Sequence, residues 1–271
     1  MIYHEINHEQ IPTLGLGTYD LNGEDCQKAV AEAIAMGYRH IDTAREYHNE
    51  REVGQGIRDS GIDRDELFIT TKIWYTDLVK NKVINATLDS LRTLQTDYVN
   101  LLLVHWPNEE VPLKETLQAL VDLQQQGKTR LIGVSNFPPS LLKEAMNLAP
   151  VVCNQVEYHP YLGQSALLNI VREKGALLTA YSPLAQGGVL EDTVLQSIGQ
   201  QYNKTAGQVT LRWLVQQDNV AAIPKASSRE HLAENFDIFD FSLTDDEMQQ
   251  IHNLSRRERL VNPSWAPVWD E

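Results

Sequence analysis

One beat repeats along most of the chain: a short apolar run, a polar turn, then a stretch with helical spacing. The apolar runs cover residues 14–18, 38–42, 67–72, 98–105, 130–134, 152–156, 177–181 and 221–224. Short, continuous apolar runs of this kind suit parallel strands covered on both faces. The stretches between them carry helix signals. Asn22 opens a helix with Glu24 and Asp25 in its first turn, and Gly37 stops it. Further helices are predicted over 50–60, 78–94 (capped by Thr76 or Asp77), 113–126, 140–148, 164–173, 194–202, 206–215, 230–236 and 245–253. Eight such units close into a (β/α)8 TIM barrel, expected here as a single domain over 1–271. A hairpin over 2–13 caps one end, and extra C-terminal helices and an irregular tail complete the chain. An open doubly wound sheet would carry a glycine-rich phosphate loop after its first strand. Leu14-Gly15-Leu16-Gly17-Thr18 is not that loop; its glycines suggest close approach of a ligand or of another backbone.

The net charge of −14 argues against nucleic acid and anionic membranes as partners, since both require a basic surface. Two cysteines, Cys26 and Cys153, cannot form a disulfide scaffold. No signal peptide or apolar run of bilayer-spanning length is visible, so a cytoplasmic monomer is the expectation. His4-Glu5-Ile6-Asn7-His8 matches H-E-x-x-H formally, but that motif binds zinc only on a helix. Its place in a terminal hairpin makes it a chance match, and no metal site is expected.

Chemistry gathers at the C-terminal ends of the strands, where barrels of this type carry their sites. Asp42, Lys72 and His105 each end an apolar run, and Tyr47 lies in the loop after the first of them. Each residue has a plain alternative: a helix cap, an ion pair, a core histidine, an edge aromatic. Together they have a chemical logic. A phenol with a pKa of about 10 is a weak acid near neutrality. A neighbouring ammonium favours the phenolate, and a carboxylate keeps that ammonium charged when buried. A histidine nitrogen can hold a carbonyl oxygen in line. With no Ser-His elbow and no metal cluster, hydride from a reduced nicotinamide is the partner that fits.

These residues sit in motifs that resemble the aldo-keto reductase family. The motifs are Gly15-Leu16-Gly17-Thr18, Asp42-Thr43-Ala44 with Tyr47 and Asn49-Glu50, Thr71-Lys72-Ile73-Trp74 and His105-Trp106-Pro107. They continue with Gly133-Val134-Ser135-Asn136-Phe137, Asn154-Gln155-Val156-Glu157-Tyr158-His159-Pro160, Tyr181-Ser182-Pro183-Leu184 and Ile223-Pro224-Lys225. The short 107–115 loop and the tail resemble bacterial 2,5-diketo-D-gluconate reductases, the B type in particular.

The resemblance implies an NADPH-dependent reductase of small carbonyl substrates, 2-oxoaldehydes and keto-sugar acids among them. It implies Tyr47 as general acid, Lys72 and Asp42 as its tuning pair, and His105 as the group orienting the carbonyl. Gly17 and Thr18 border the cofactor, Ser135, Asn136 and Gln155 bind the carboxamide, and Tyr181 stacks on the nicotinamide. Ser182 and Leu184 border the pyrophosphate, Lys225 approaches the 2′-phosphate and Asn235 the adenine. Tyr19, Trp74, Trp106 and Trp265 wall the substrate pocket. Where many relatives carry an arginine, four residues before Asn235, this chain has His231. Arg229, Ser227 and Ser228 are then expected to share phosphate binding with Lys225. Some barrel relatives are nonenzymatic NADP(H)-sensing regulatory subunits, and that is the alternative function.

Overall fold

A computed structural model describes residues 1–270. Strands β1 (Tyr3–Ile6) and β2 (Glu9–Pro12) form an antiparallel hairpin. Asn7 and His8 turn it with φ of 50° and 68°, the left-handed pair that a tight hairpin turn requires. His4 and His8 therefore share no helical face, and His4 Nε2 instead meets the Val220 carbonyl at 3.0 Å. Among the described residues, no group of three side chains could hold a metal.

Eight strands follow: β3 (Leu16–Gly17), β4 (His40–Asp42), β5 (Phe68–Ile73), β6 (Val99–Val104), β7 (Thr129–Ser135), β8 (Val151–Glu157), β9 (Leu177–Tyr181) and β10 (Val220–Ala222). Each lies parallel to its sequence neighbour. Parallel bridges Leu14–Ala222 and Gly17–Lys225 join the first strand to the last, which closes the (β/α)8 barrel. The two early glycines serve this closure. A Cβ on Gly17 would lie 2.6 Å from the Ile223 carbonyl oxygen, and one on Gly15 would lie 2.8 Å from the His40 ring.

The helices are α1 (Gly23–Met36), α2 (Glu50–Asp59), α3 (Lys80–Leu94), α4 (Leu113–Gln125), α5 (Pro139–Leu148), α6 (Ser165–Lys174), α7 (Thr193–Tyr202), α8 (Ala206–Val215), α9 (Arg229–Phe236) and α10 (Asp245–His252). Alternation along each strand divides the core in two. Ile69, Leu102, Val104 and Ile132 pack outward against the helices. Phe68, Leu101, Leu103 and Leu131 point inward, where Ile6 and Ile11 of the hairpin plug the barrel floor. The same alternation sends Lys72, four residues after Phe68, and His105, two after Leu103, to the interior at the other end.

One local reading is corrected. Neither Thr76 nor Asp77 caps α3. Residues 75–77 form a separate 3-10 turn, and extended Val79 breaks it from the helix. Glu115 of α4 accepts from the Lys80 amide at 3.1 Å, so the first amide of α3 is satisfied from a neighbouring helix. Asn49 precedes α2, but its side chain does not cap it. It donates to the Thr18 and Leu21 carbonyls at 2.7 and 2.9 Å and accepts from the Thr43 hydroxyl at 2.9 Å. Asn49 thereby pins the loop after β4 to the loop after β3.

His40 lies beneath the site, buried, with Nε2 3.2 Å from the Thr70 hydroxyl. Burial pulls its pKa down from 6.5 to about 4. The unfolded chain therefore binds more protons than the folded chain between these values. Stability is lost as pH falls through that window. In urea melts from pH 7 to pH 4, His40→Gln should lose about 3 kcal/mol less than the parent, the equivalent of the shift.

Candidate active site

The strand ends bring Asp42, Tyr47 and His105 to one cavity, with Lys72 buried against the first two. Lys72 is fully buried at the end of β5. Its Nζ lies 2.5 Å from Asp42 Oδ1, 2.8 Å from the Thr43 carbonyl oxygen and 3.2 Å from the Tyr47 hydroxyl. The second carboxylate oxygen of Asp42 accepts from Gln155 Nε2 at 2.7 Å, across the barrel from β8. Burial alone would discharge the ammonium. The charge of Asp42, with the hydrogen bonds to Asp42 and to the neutral Tyr47 hydroxyl, outweighs it and holds the Lys72 pKa above its ordinary value.

Tyr47 differs from the simplest expectation. The ammonium alone predicts a lowered phenol pKa. Burial is the larger effect and leaves the phenol above its ordinary value despite Lys72. The group is therefore protonated at neutral pH, with a cation poised to stabilise the phenolate once a proton leaves. Burial, then the charge of Lys72, pushes His105 well below 6.5. A neutral imidazole results, packed edge-on against Tyr47 at 5.6 Å and Trp74 at 5.0 Å between ring centroids.

A second network adjoins the first. The Asn136 amide donates to the His105 carbonyl at 2.9 Å, and the Tyr181 hydroxyl donates to Asn136 Oδ1 at 2.8 Å. The Ser135 hydroxyl donates to the Gln155 carbonyl at 2.8 Å. Asn136 and Ser182, just past β7 and β9, hold φ of 61° and 46°, left-handed conformations common at functional sites.

The cavity measures about 760 Å³, the size of a site for a small organic ligand. Gly17, Tyr19, Asp42, Tyr47, Trp74, His105, Trp106, Asn136, Gln155, Tyr181, Ser182, Lys225 and Trp265 all line it. Eight expected residues do not, and Lys72, fully buried behind Asp42 and Tyr47, is one of them. Thr18 and Ser135 are buried behind the wall, and Leu184 packs into the helix layer. Ser227, Arg229 and Asn235 lie beyond Lys225, on or next to α9. Ser228 accepts from the His231 amide at 3.2 Å and so caps α9, which leaves its hydroxyl proton able to donate. Sequence reasoning misses Glu46, Gln186, Ile223 and the tail residues Leu260, Val261, Asn262 and Pro263, which also line the cavity. Glu46 directly precedes Tyr47 and could have been placed by that neighbour. The tail residues carry no local signal.

The aldo/keto reductase family model matches residues 13–256. Glyoxal reductase of Bacillus subtilis is 43% identical over 257 residues, 94% of this chain and 92% of that protein. Methylglyoxal reductase DkgB of Yersinia pestis is 41% identical over 266 residues, 96% of this chain and 99% of that protein. A crystal structure of a candidate 2,5-diketo-D-gluconic acid reductase B superposes with a TM-score of 0.97 at 44% identity, covering 100% and 98% of the two chains. A Bombyx mori aldo-keto reductase in complex with NADP gives 0.90 at 31% identity, covering 97% of each chain. The chain belongs to the aldo-keto reductase family.

The ion pair at the centre is sensitive to removal of one partner. Lys72→Met leaves the Asp42 carboxylate buried without its cation and should cost about 3 kcal/mol in urea denaturation. Adding Asp42→Asn removes that charge and should recover part of the loss.

Proposed function

We propose that this chain is an NADPH-dependent reductase of small aldehydes and ketones, with 2-oxoaldehydes such as methylglyoxal as its preferred class. The observation that carries this reading is the protonated Tyr47 hydroxyl 3.2 Å from a charged, buried ammonium and in ring contact with a neutral imidazole. When bound, the reduced nicotinamide supplies a hydride to the carbonyl carbon. Tyr47 gives its proton to the carbonyl oxygen, and the phenolate left behind lies beside Lys72. Asp42 keeps Lys72 charged throughout, so stabilisation grows as the phenolate forms. The His105 imidazole N–H holds the carbonyl oxygen beside the phenol.

The chain's own groups suit the cofactor. The Tyr181 ring and the Asn136 and Gln155 side chains form one wall. Thr18 Oγ1 is buried behind that site without a partner among the described residues. Lys225, Ser227 and Arg229 gather at the start of α9, where unpaired amides and the helix dipole favour an anion. Two cations beside a 2′-phosphate favour NADPH over NADH.

Tyr19, Trp74, Trp106 and Trp265 supply apolar walls for the substrate. Among the described residues, Lys225, at the proposed cofactor end, is the one lysine or arginine on the lining. On the lining near Trp265 a substrate carboxylate would meet no lysine or arginine among the described residues and would face Glu46; Arg259 lies off the lining, over the Trp269 ring at 3.7 Å. Uncharged 2-oxoaldehydes need no cation, which agrees with the glyoxal and methylglyoxal activities in the relatives' names. Keto-sugar acids such as 2,5-diketo-D-gluconate are the second class, suggested by the structural neighbour.

Tyr47→Phe should lower kcat for NADPH oxidation by methylglyoxal by about a thousandfold or more, while NADPH still quenches tryptophan fluorescence. Undiminished turnover in that variant would refute the proton assignment. Absence of turnover in the parent would leave the cofactor-sensing alternative. The kcat/KM with NADPH should exceed that with NADH by about tenfold or more, and Arg229→Ala should narrow the gap. Equal values in the parent would remove the preference.

A further inference from the structure

Glu157 ends β8, two residues beyond Gln155, and is fully buried. It does not line the cavity. Its Oε1 accepts from the Leu260 amide at 2.7 Å and from His159 Nε2 at 2.9 Å. Its Oε2 accepts from the Val261 amide at 2.9 Å. Burial opposes ionisation here, but the donors from His159, Leu260 and Val261 outweigh it and hold the carboxylate below its ordinary pKa.

The two amides begin the segment that becomes the substrate wall. Leu260 to Pro263 and Trp265 line the cavity. Trp265 meets Trp74, Trp106 and Tyr75 at ring centroid distances of 5.5, 5.0 and 4.6 Å. On its other side Glu157 pairs with Tyr181 in the β8–β9 ladder. One side chain thus ties the strand ends beneath the proposed nicotinamide to the chain that walls the substrate.

We propose that Glu157 is a positioning residue: it clasps the main chain at Leu260 and Val261 and so sets where Trp265 stands over the carbonyl site. The proposal rests on the reading of the cavity as a carbonyl site. Three N–H donors converge on two carboxylate oxygens. A glutamine amide offers one acceptor oxygen and turns an N–H toward a donor, so at least one grip is lost.

The test uses the full chain with NADPH and an aromatic aldehyde large enough to reach Trp265, 4-nitrobenzaldehyde. Glu157→Gln should raise KM by about tenfold, the value of a hydrogen bond to a charged group, with kcat changed by less than about threefold. In a Trp265→Ala background the same substitution should add little to KM, because Glu157 acts through that ring. Parallel losses in kcat and KM, or additive effects of the two substitutions, would overturn the proposal. Hydrogen exchange on the unaltered protein tests the clasp without any variant. The Leu260 and Val261 amides should exchange at least about a hundredfold more slowly than a solvent-exposed amide, and fast exchange would overturn it. Slow exchange in a chain that reduces no aldehyde would refute the reductase reading and leave the clasp standing.

Discussion

A single buried ammonium organises this molecule. Lys72 reaches the barrel interior because strand alternation leaves it nowhere else to go, and it remains charged because Asp42 faces it from the next strand. A lone charge there would be expelled or neutralised. The surroundings therefore answer it: Gln155 holds the far carboxylate oxygen of Asp42, and the Thr43 carbonyl takes another ammonium proton. The phenol of Tyr47 is the remaining neighbour, and the only one of these with a proton it could give away.

The electrostatics around that charge pull in different directions. Burial raises Tyr47 and lowers His105, which leaves a neutral acid and a neutral imidazole flanking a cation. Neither group carries charge before a substrate arrives. The field of Lys72 gains its value only when negative charge develops on the phenol oxygen. Under the proposed mechanism this is preorganisation, assembled by the fold before any chemistry begins.

Much of this could be read from residue order. The apolar runs were enough to place Asp42, Lys72 and His105 at the C-terminal strand ends, and the (β/α)8 closure followed from the repeated beat. Local chemistry was less reliable where a tertiary partner intervened. The first amide of α3 is satisfied by Glu115, a residue on another helix, so Thr76 and Asp77 had no capping role left to fill. Asn49 is in the right place for a cap, yet its amide is engaged by two distant carbonyls. Ser228, by contrast, does make a local cap. The contribution of residues 260–263 was not legible, because an irregular segment announces neither period nor direction.

The attachment at Glu157 is made to amide groups, not to side chains. A grip of that kind does not depend on which residues are carried. The rings and polar groups between 262 and 269 can therefore be exchanged while the chain still enters along the same path. Under the proposed function, recognition of new carbonyl compounds is then open to change in the tail, by a lineage or an engineer, with the Asp42–Lys72–Tyr47 centre of the barrel untouched.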